Sequence, residues 1–302
     1  KRHYDILYCF NNKVASNLLM GTRGQKYKII TYRGTVGNVS FLSPASWTTH
    51  LNPRVERIVC VSEAVRQYLV NMRILGRGIS PERAVSIYKG HDPTWYHSPP
   101  ADLTREFAIP ADAFVVGFAG RNRPHKGIDY LIDAARHLPG EAQIHFLLLG
   151  RLNEDRSLQK KIAKSPNPHR IHLTGFREDA PAIFAACDTF VMPSTKREGL
   201  SRAVIEAMAQ ATTPIVTDVG GLPELVQEGQ SGLVIPPMDS PAIAKAILRL
   251  YEHPDQRRKM GIHAQERINS VFHINWTVEQ NMRMFQNLME GRLHTNNRTM
   301  NI

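Results

Sequence analysis

The sequence predicts an α/β protein with open parallel sheets, one complete in the second half of the chain and one partial in its first third. Three observations carry that expectation. From Ala113 onward, short β-branched and apolar runs alternate with amphipathic segments. The connections between them are short turns, the pattern of strand, crossover helix and parallel strand. Residues 1–96 offer further strand-like runs but one clear helix, too little for a second full sheet of that kind.

In chain order, DILYC, KYKIIT, RIVCV and AVSIY read as strands, with a helix from Ser62 to Ile74. Pro81, Pro93, Pro99 and Pro100, clustered around Gly76 and Gly90, mark a link to a second domain read as 97–273. Within it, strands are expected at 113–119, 143–149, 170–174, 188–192, 213–217 and 232–235. Helices are expected at 127–137, 155–164, 179–187, 202–210, 222–228 and 240–252. Ligands of such sheets bind at the carboxyl ends of the strands, so the informative loops follow Ala119, Leu149, Thr174, Met192 and Thr217. The tail after Gly291 is polar and reads as frayed.

A length of 302 residues suits two domains, and 42% hydrophobic with 22% charged residues argues against disorder or a disulfide scaffold. The longest apolar runs, such as Phe114 to Ala119, fall far short of the roughly 20 residues of a membrane span. The start shows no signal-peptide pattern. Cys9, Cys60 and Cys187 are odd in number and widely spaced in apolar stretches, which favours reduced core thiols and a cytoplasmic setting. The net charge of +11 is uneven: residues 1–100 hold 14 Lys and Arg against 5 Asp and Glu. A basic field of that kind attracts an anionic membrane, an acidic acceptor or nucleic acid, or only keeps the protein in solution.

Two stretches carry chemistry. GFAGRNRPHKGIDYLIDA, from Gly117 to Ala134, ends a buried strand and places Arg121 and Lys126 beside a helix start near Gly127. Cations there add to a site that backbone N–H groups and the helix dipole already make favourable for a diphosphate. The spacing is neither a Walker A loop nor G-x-G-x-x-G. PSTKREGLSRAVIEAMA, from Pro193 to Ala209, carries Glu198 in a loop after a strand and Glu206 in the following helix. Carboxylates so placed accept hydrogen bonds from the hydroxyl pairs of a sugar or ribose, and Gly199 lets backbone approach the ligand.

Together these stretches resemble the retaining GT-B glycosyltransferases of family 4, whose Glu, seven residues, Glu motif appears here as EGLSRAVIE followed by AMA. The resemblance takes in GRNRPHKG, TGF at Thr174 to Phe176, CDTFVMPS and GGLPELVQEGQSGLVIPPMD, and reaches back to VSEAVRQYL and IYKGHD and on to Trp276. It implies two Rossmann-like domains facing a cleft, the first (1–96) partial and on the acceptor side. The second (97–273) would bind the nucleotide sugar, and residues 274–302 would return as a helix to the first. It implies transfer of a hexose from a UDP, GDP or ADP sugar to a hydroxyl of a glycan or lipid-linked acceptor of the cell envelope. By that resemblance Arg121 and Lys126 hold the diphosphate, Glu206 the ribose and Glu198 the transferred sugar. Glu198, Arg121 and Lys126 are the catalytic candidates. Gly199, Leu200 and Ser201 line sugar and phosphate, and Gly175 and Phe176 border the base. No cofactor is expected and no metal: no two Asp residues are separated by one position, so the Asp-x-Asp metal site of other glycosyltransferases is missing.

The chain also departs from the family. It starts at YDILYCFNN, later than the glycine-rich loop that opens family members, so residues before Pro93 are expected to be loose or associating. Phe10 and Asn11 stand where a His is frequent, Ala211 where Gly is usual, and Lys89 where Asn is usual. His91 and His125 read as polar loop surface. A sugar-nucleotide epimerase or phosphorylase of the same fold stays open as an alternative, as does a non-catalytic basic binding protein. Nucleic acid is the disfavoured partner, and peripheral contact with an anionic membrane the favoured one.

Overall fold

The structure, a computed structural model, describes residues 4–291. The tail expected to fray after Gly291 lies outside the described residues. The chain divides into two compact units, one made of the residues up to Gly90 together with those from Ile274, the other of His91–His273.

In the first unit, β1 (Ile6–Cys9), α1 (Asn12–Gly21), β2 (Lys28–Arg33), α2 (Pro44–Trp47), β3 (Val55–Cys60) and α3 (Glu63–Asn71) follow one another. A hairpin of β4 (Arg73–Ile74) and β5 (Arg77–Gly78) leads to β6 (Ala84–Ser86). The main sheet is parallel in the order β1-β2-β3-β6. The Asn11 side chain caps α1 by accepting from the Val14 N–H, and Ser62 caps α3 from the Val65 N–H. α1 was not anticipated from the sequence. Its two buried residues, Ala15 and Leu19, are one helical repeat apart and too few to stand out.

The second unit opens with a 3-10 turn at Pro93–Tyr96 and α4 (Leu103–Phe107). It continues through β7 (Phe114–Ala119), α5 (Ile128–Ala134), β8 (Ile144–Leu149), α6 (Arg156–Ala163), β9 (Ile171–Gly175) and α7 (Ala180–Ala185). Then come β10 (Thr189–Met192), α8 (Arg202–Ala209), β11 (Thr213–Thr217), α9 (Leu222–Leu225), β12 (Leu233–Ile235), α10 (Ser240–Glu252) and α11 (Pro254–Ser270). The sheet is parallel in the order β12-β11-β10-β7-β8-β9, so the chain leaves β7 in one direction and returns to its other side at β10. The residues of β8, β10 and β11 are all buried, as expected for central parallel strands covered on both faces. α11, 17 residues long, was not foreseen: most of its positions are polar, and five of them are buried.

The final helix, α12 (Ile274–Met289), belongs to the first unit. Met284 and Leu288 pack with Ile30, Val59, Val85 and Ile87, and the Thr277 hydroxyl donates to the Tyr88 carbonyl at 2.7 Å. The unit boundary falls at Gly90, six residues before the position read from the prolines. The cause is local: the His91 N–H bonds the Phe272 carbonyl at 2.8 Å, and the Pro93–Tyr96 turn packs on α8.

Two features of the second unit have measurable consequences. Ala211 follows α8 with φ +57, the left-handed conformation that favours glycine. Ala211→Gly is expected to stabilise the unit by about 1 kcal/mol, seen as a higher unfolding midpoint; an unchanged or lower midpoint would contradict this. On β8 and β9 the His145 and His172 rings stack with centroids 5.3 Å apart, Nδ1 of one 3.0 Å from Nε2 of the other. Burial, then the neighbouring His172, Arg170 and His169, pushes His145 down to about 4, and burial with His169 lowers His172. The folded chain therefore holds fewer protons than the unfolded one below the ordinary His value of 6.5. Stability is expected to fall as pH drops from 6.5 towards about 4. Thermal unfolding across pH 7 to 4 should show a shallower fall for His145→Asn than for wild type.

Candidate functional site

The site residues collect at the carboxyl ends of the strands of the second unit. The loop after β7 runs from Gly120 through the 3-10 turn Pro124–Lys126 to Gly127. Gly127 has φ +69, and a Cβ there would lie 1.8 Å from the Pro193 carbonyl oxygen, so this turn requires glycine. The Thr195 N–H donates to the His125 carbonyl at 2.8 Å, which joins the loop after β7 to the loop after β10.

This juncture brings Lys126 and Glu198 together. Lys126 Nζ lies 2.6 Å from Glu198 Oε1, and the Ser194 hydroxyl donates to the same oxygen at 2.7 Å. Glu198 is 6% exposed, so its carboxylate meets an ammonium and a hydroxyl in place of most of its water. The backbone behind it is also fixed: a Cβ on Gly220 would lie 2.1 Å from the Glu198 carbonyl oxygen. Just before it, Arg197 adopts φ +65, the left-handed conformation that residues other than glycine seldom take. His125, half-buried beside Lys126, is lowered from its ordinary value first by burial and then by that ammonium.

Glu206 lies one turn into α8, 9% exposed, and its Oε1 accepts from Arg202 Nε at 2.7 Å. The carboxylate beside it raises Arg202. The Ser201 side chain makes no cap bond to α8 and no acid occupies the first turn, which leaves helix N–H groups for another acceptor. By contrast, the first turn of α5 carries Asp129. Gly199 is buried, Leu200 half-buried and Ser201 buried.

Arg121 is exposed and enters none of the ion pairs formed among the described residues. Gly175, at the end of β9 with φ +74, accepts the Gly150 N–H at 2.8 Å, and Phe176 after it presents a ring 67% exposed. The sequence reading did not single out Arg202, Ser194, Gly220 or Tyr96. Arg202 had a signal, since it stands four residues before Glu206. Tyr96, 4% exposed, had none, because its contacts to α8 cross more than a hundred residues. His91, read as polar surface, is 2% exposed: its Nδ1 bonds the Tyr96 phenol and its backbone pairs with Phe272.

Known proteins resemble this chain over part or most of its length. Alpha-D-kanosaminyltransferase of Streptomyces kanamyceticus is 29% identical over 167 residues, which cover 54% of this chain and 43% of that protein. Alpha-maltose-1-phosphate synthase of Mycolicibacterium smegmatis is 26% identical over 249 residues, 76% of this chain and 63% of that protein. The chain thus spans less than two thirds of the length of either relative. The crystal structure of HepE from Anabaena in complex with UDP-glucose superposes with a TM-score of 0.80 at 24% identity, covering 94% of this chain and 79% of that one. At that level of identity the match establishes the fold, which is of the GT-B glycosyltransferase type. The family described as Glycosyl transferases group 1 matches residues 101–267, more than half of the chain and every element from α4 to most of α11, and the chain belongs to that family.

Proposed function

We propose that the chain is the donor-binding part of a retaining, metal-independent glycosyltransferase that moves a hexose from a nucleotide sugar to a hydroxyl of a glycan or lipid-linked acceptor. The observation that carries this reading is the buried Lys126–Glu198 pair at the carboxyl ends of β7 and β10 in a group 1 glycosyltransferase domain. Arg121, Lys126 and the uncapped start of α8 take the donor diphosphate, which needs fixed positive charge as the bond from the anomeric carbon to the phosphate oxygen breaks. Glu206 accepts from the ribose hydroxyls, Glu198 contacts the departing sugar, and the exposed Phe176 ring offers a face to the base. The acceptor oxygen bonds the anomeric carbon on the face the diphosphate leaves, and its proton passes to a phosphate oxygen of the leaving group. The HepE complexes with UDP and UDP-glucose support a uridine donor as the first to test.

The pairing of Lys126 with Glu198 sharpens the expected behaviour of each. A phosphate and the Glu198 carboxylate both attract the same ammonium. Glu198→Gln is therefore expected to lower sugar transfer by roughly tenfold or more while leaving UDP affinity equal or higher. Lys126→Ala should weaken UDP by roughly tenfold, in keeping with about 1.5–3 kcal/mol for a charge-assisted hydrogen bond. Titration with UDP, GDP and ADP and with the matching nucleotide sugars, in chelator, reads both effects. Failure of every nucleotide to bind, or a strict requirement for magnesium or manganese, would overturn the proposal. Release of free sugar phosphate or of an epimerised donor would turn it towards the alternative activities of the fold.

Among the described residues no helix is long and apolar enough to cross a membrane, and residues 1–100 carry a net +9. We assign that charge to an anionic surface near the acceptor. The chain is expected to co-sediment with phosphatidylserine-containing vesicles at low salt and to be released by 0.5 M NaCl, with neutral vesicles as the comparison. Equal retention on both would remove the assignment.

A further inference from the structure

Glu198 is fixed through one of its two carboxylate oxygens. Lys126 Nζ and the Ser194 hydroxyl both donate to Oε1, at 2.6 and 2.7 Å, while Oε2 accepts from no described residue. Nor is Oε2 among the polar atoms sealed in the interior without a partner, so it still reaches solvent.

The two donors differ in what else can claim them. The Lys126 side chain is 17% exposed and carries two further N–H groups, so a phosphate can draw it off the carboxylate. Ser194 is fully buried, and its hydroxyl has a single proton to give. Its backbone is held from two directions. The Thr217 hydroxyl, at the end of β11, donates to the Ser194 carbonyl at 2.6 Å, and the next N–H, that of Thr195, bonds the His125 carbonyl. The hydroxyl on Glu198 is therefore anchored to β11 and to the loop after β7, out of reach of an incoming anion.

A nucleoside diphosphate competes with Glu198 for the Lys126 ammonium. Once that ammonium turns to phosphate, the serine is the donor the carboxylate keeps. With neither donor, the carboxylate would turn about its terminal torsion, whose preferences are broad, and Oε2 would lose its direction.

We propose that Ser194 is a positioning residue for the transferred sugar: it holds Glu198 Oε1 when the diphosphate draws Lys126 away, keeps Oε2 turned to a sugar hydroxyl, and so sets how much the sugar contributes to donor binding. This rests on the reading of Glu198 as the sugar contact and of Lys126 as a diphosphate ligand. It adds a neutral residue that touches neither part of the donor.

The test measures dissociation constants for three probes: whichever of UDP, GDP and ADP binds most tightly, the tightest-binding of its hexose conjugates, and inorganic pyrophosphate. Ser194→Ala should raise the conjugate-to-diphosphate ratio by about threefold or more, with diphosphate and pyrophosphate binding unchanged. Ser194→Cys, a weaker donor of similar size, should fall between wild type and Ser194→Ala. In a Glu198→Ala background the serine has nothing to hold, so adding Ser194→Ala should leave the ratio where Glu198→Ala put it. A merely structural role for Ser194 would weaken all three ligands together. That result, an unchanged ratio in Ser194→Ala, or a further change in the double variant overturns the proposal. Should Ser194→Ala fail to fold, Ser194→Cys decides in its place, a raised ratio supporting the proposal and an unchanged one overturning it. If Glu198→Ala leaves the ratio as in wild type, Glu198 is not the sugar contact, and that reading falls together with the proposal. A ratio altered by Glu198→Ala but not by Ser194→Ala removes the proposal alone.

Discussion

The site depends on one close approach, that of the loop after β7 to the loop after β10. The two strands are neighbours in the sheet although about seventy residues separate them, so their loops meet by topology. Gly127 allows the contact by having no Cβ against the Pro193 carbonyl, and the Thr195 N–H closes it on the His125 carbonyl. Once the loops touch, Lys126 and Glu198 are within 2.6 Å and largely out of water. Breaking a buried pair by removing one partner leaves an uncompensated charge and is costly. The loops therefore hold the charges and the charges hold the loops.

The second carboxylate repeats the arrangement by other means. Glu206 is placed by a helix instead of a loop, and its cation comes from the same helix, four residues earlier. Both glutamates thus carry a counter-charge of their own before any ligand arrives. Arg121, Arg123, Lys196 and Arg197 in the neighbouring loops are exposed.

Much of this was legible in the sequence because it is local. The alternation of apolar runs and amphipathic segments located the strands from β7 to β12, and the same alternation put Glu198 in a loop and Glu206 on the helix after it. The ion pair between Lys126 and Glu198 was not legible, although both residues were named, because it arises from strand order and no pattern along the chain encodes it. Tyr96 was hidden for the same reason and by its company: a stretch rich in proline and glycine reads as a linker, yet its aromatic side chain is buried on α8. α11 escaped because few of its 17 positions are apolar, so burial of Met260, Ala264 and Ile268 leaves a faint periodicity.

Arg202, Glu206 and Gln210 follow one another at four-residue steps along α8, which makes the length of the helix as constrained as its composition. One residue added between Arg202 and Glu206 turns everything after it by about 100° around the helix axis. The carboxylate would leave the face where Tyr96 lies, and Gln210 would lose the Tyr96 carbonyl. A deletion has the mirror effect. The exposed Lys196–Arg197 segment just upstream carries no such phase relation. Divergence in chain length around this site therefore has a place to accumulate in the loop ahead of Glu198, while the eight-residue step from Glu198 to Glu206 is a fixed ruler between two buried carboxylates.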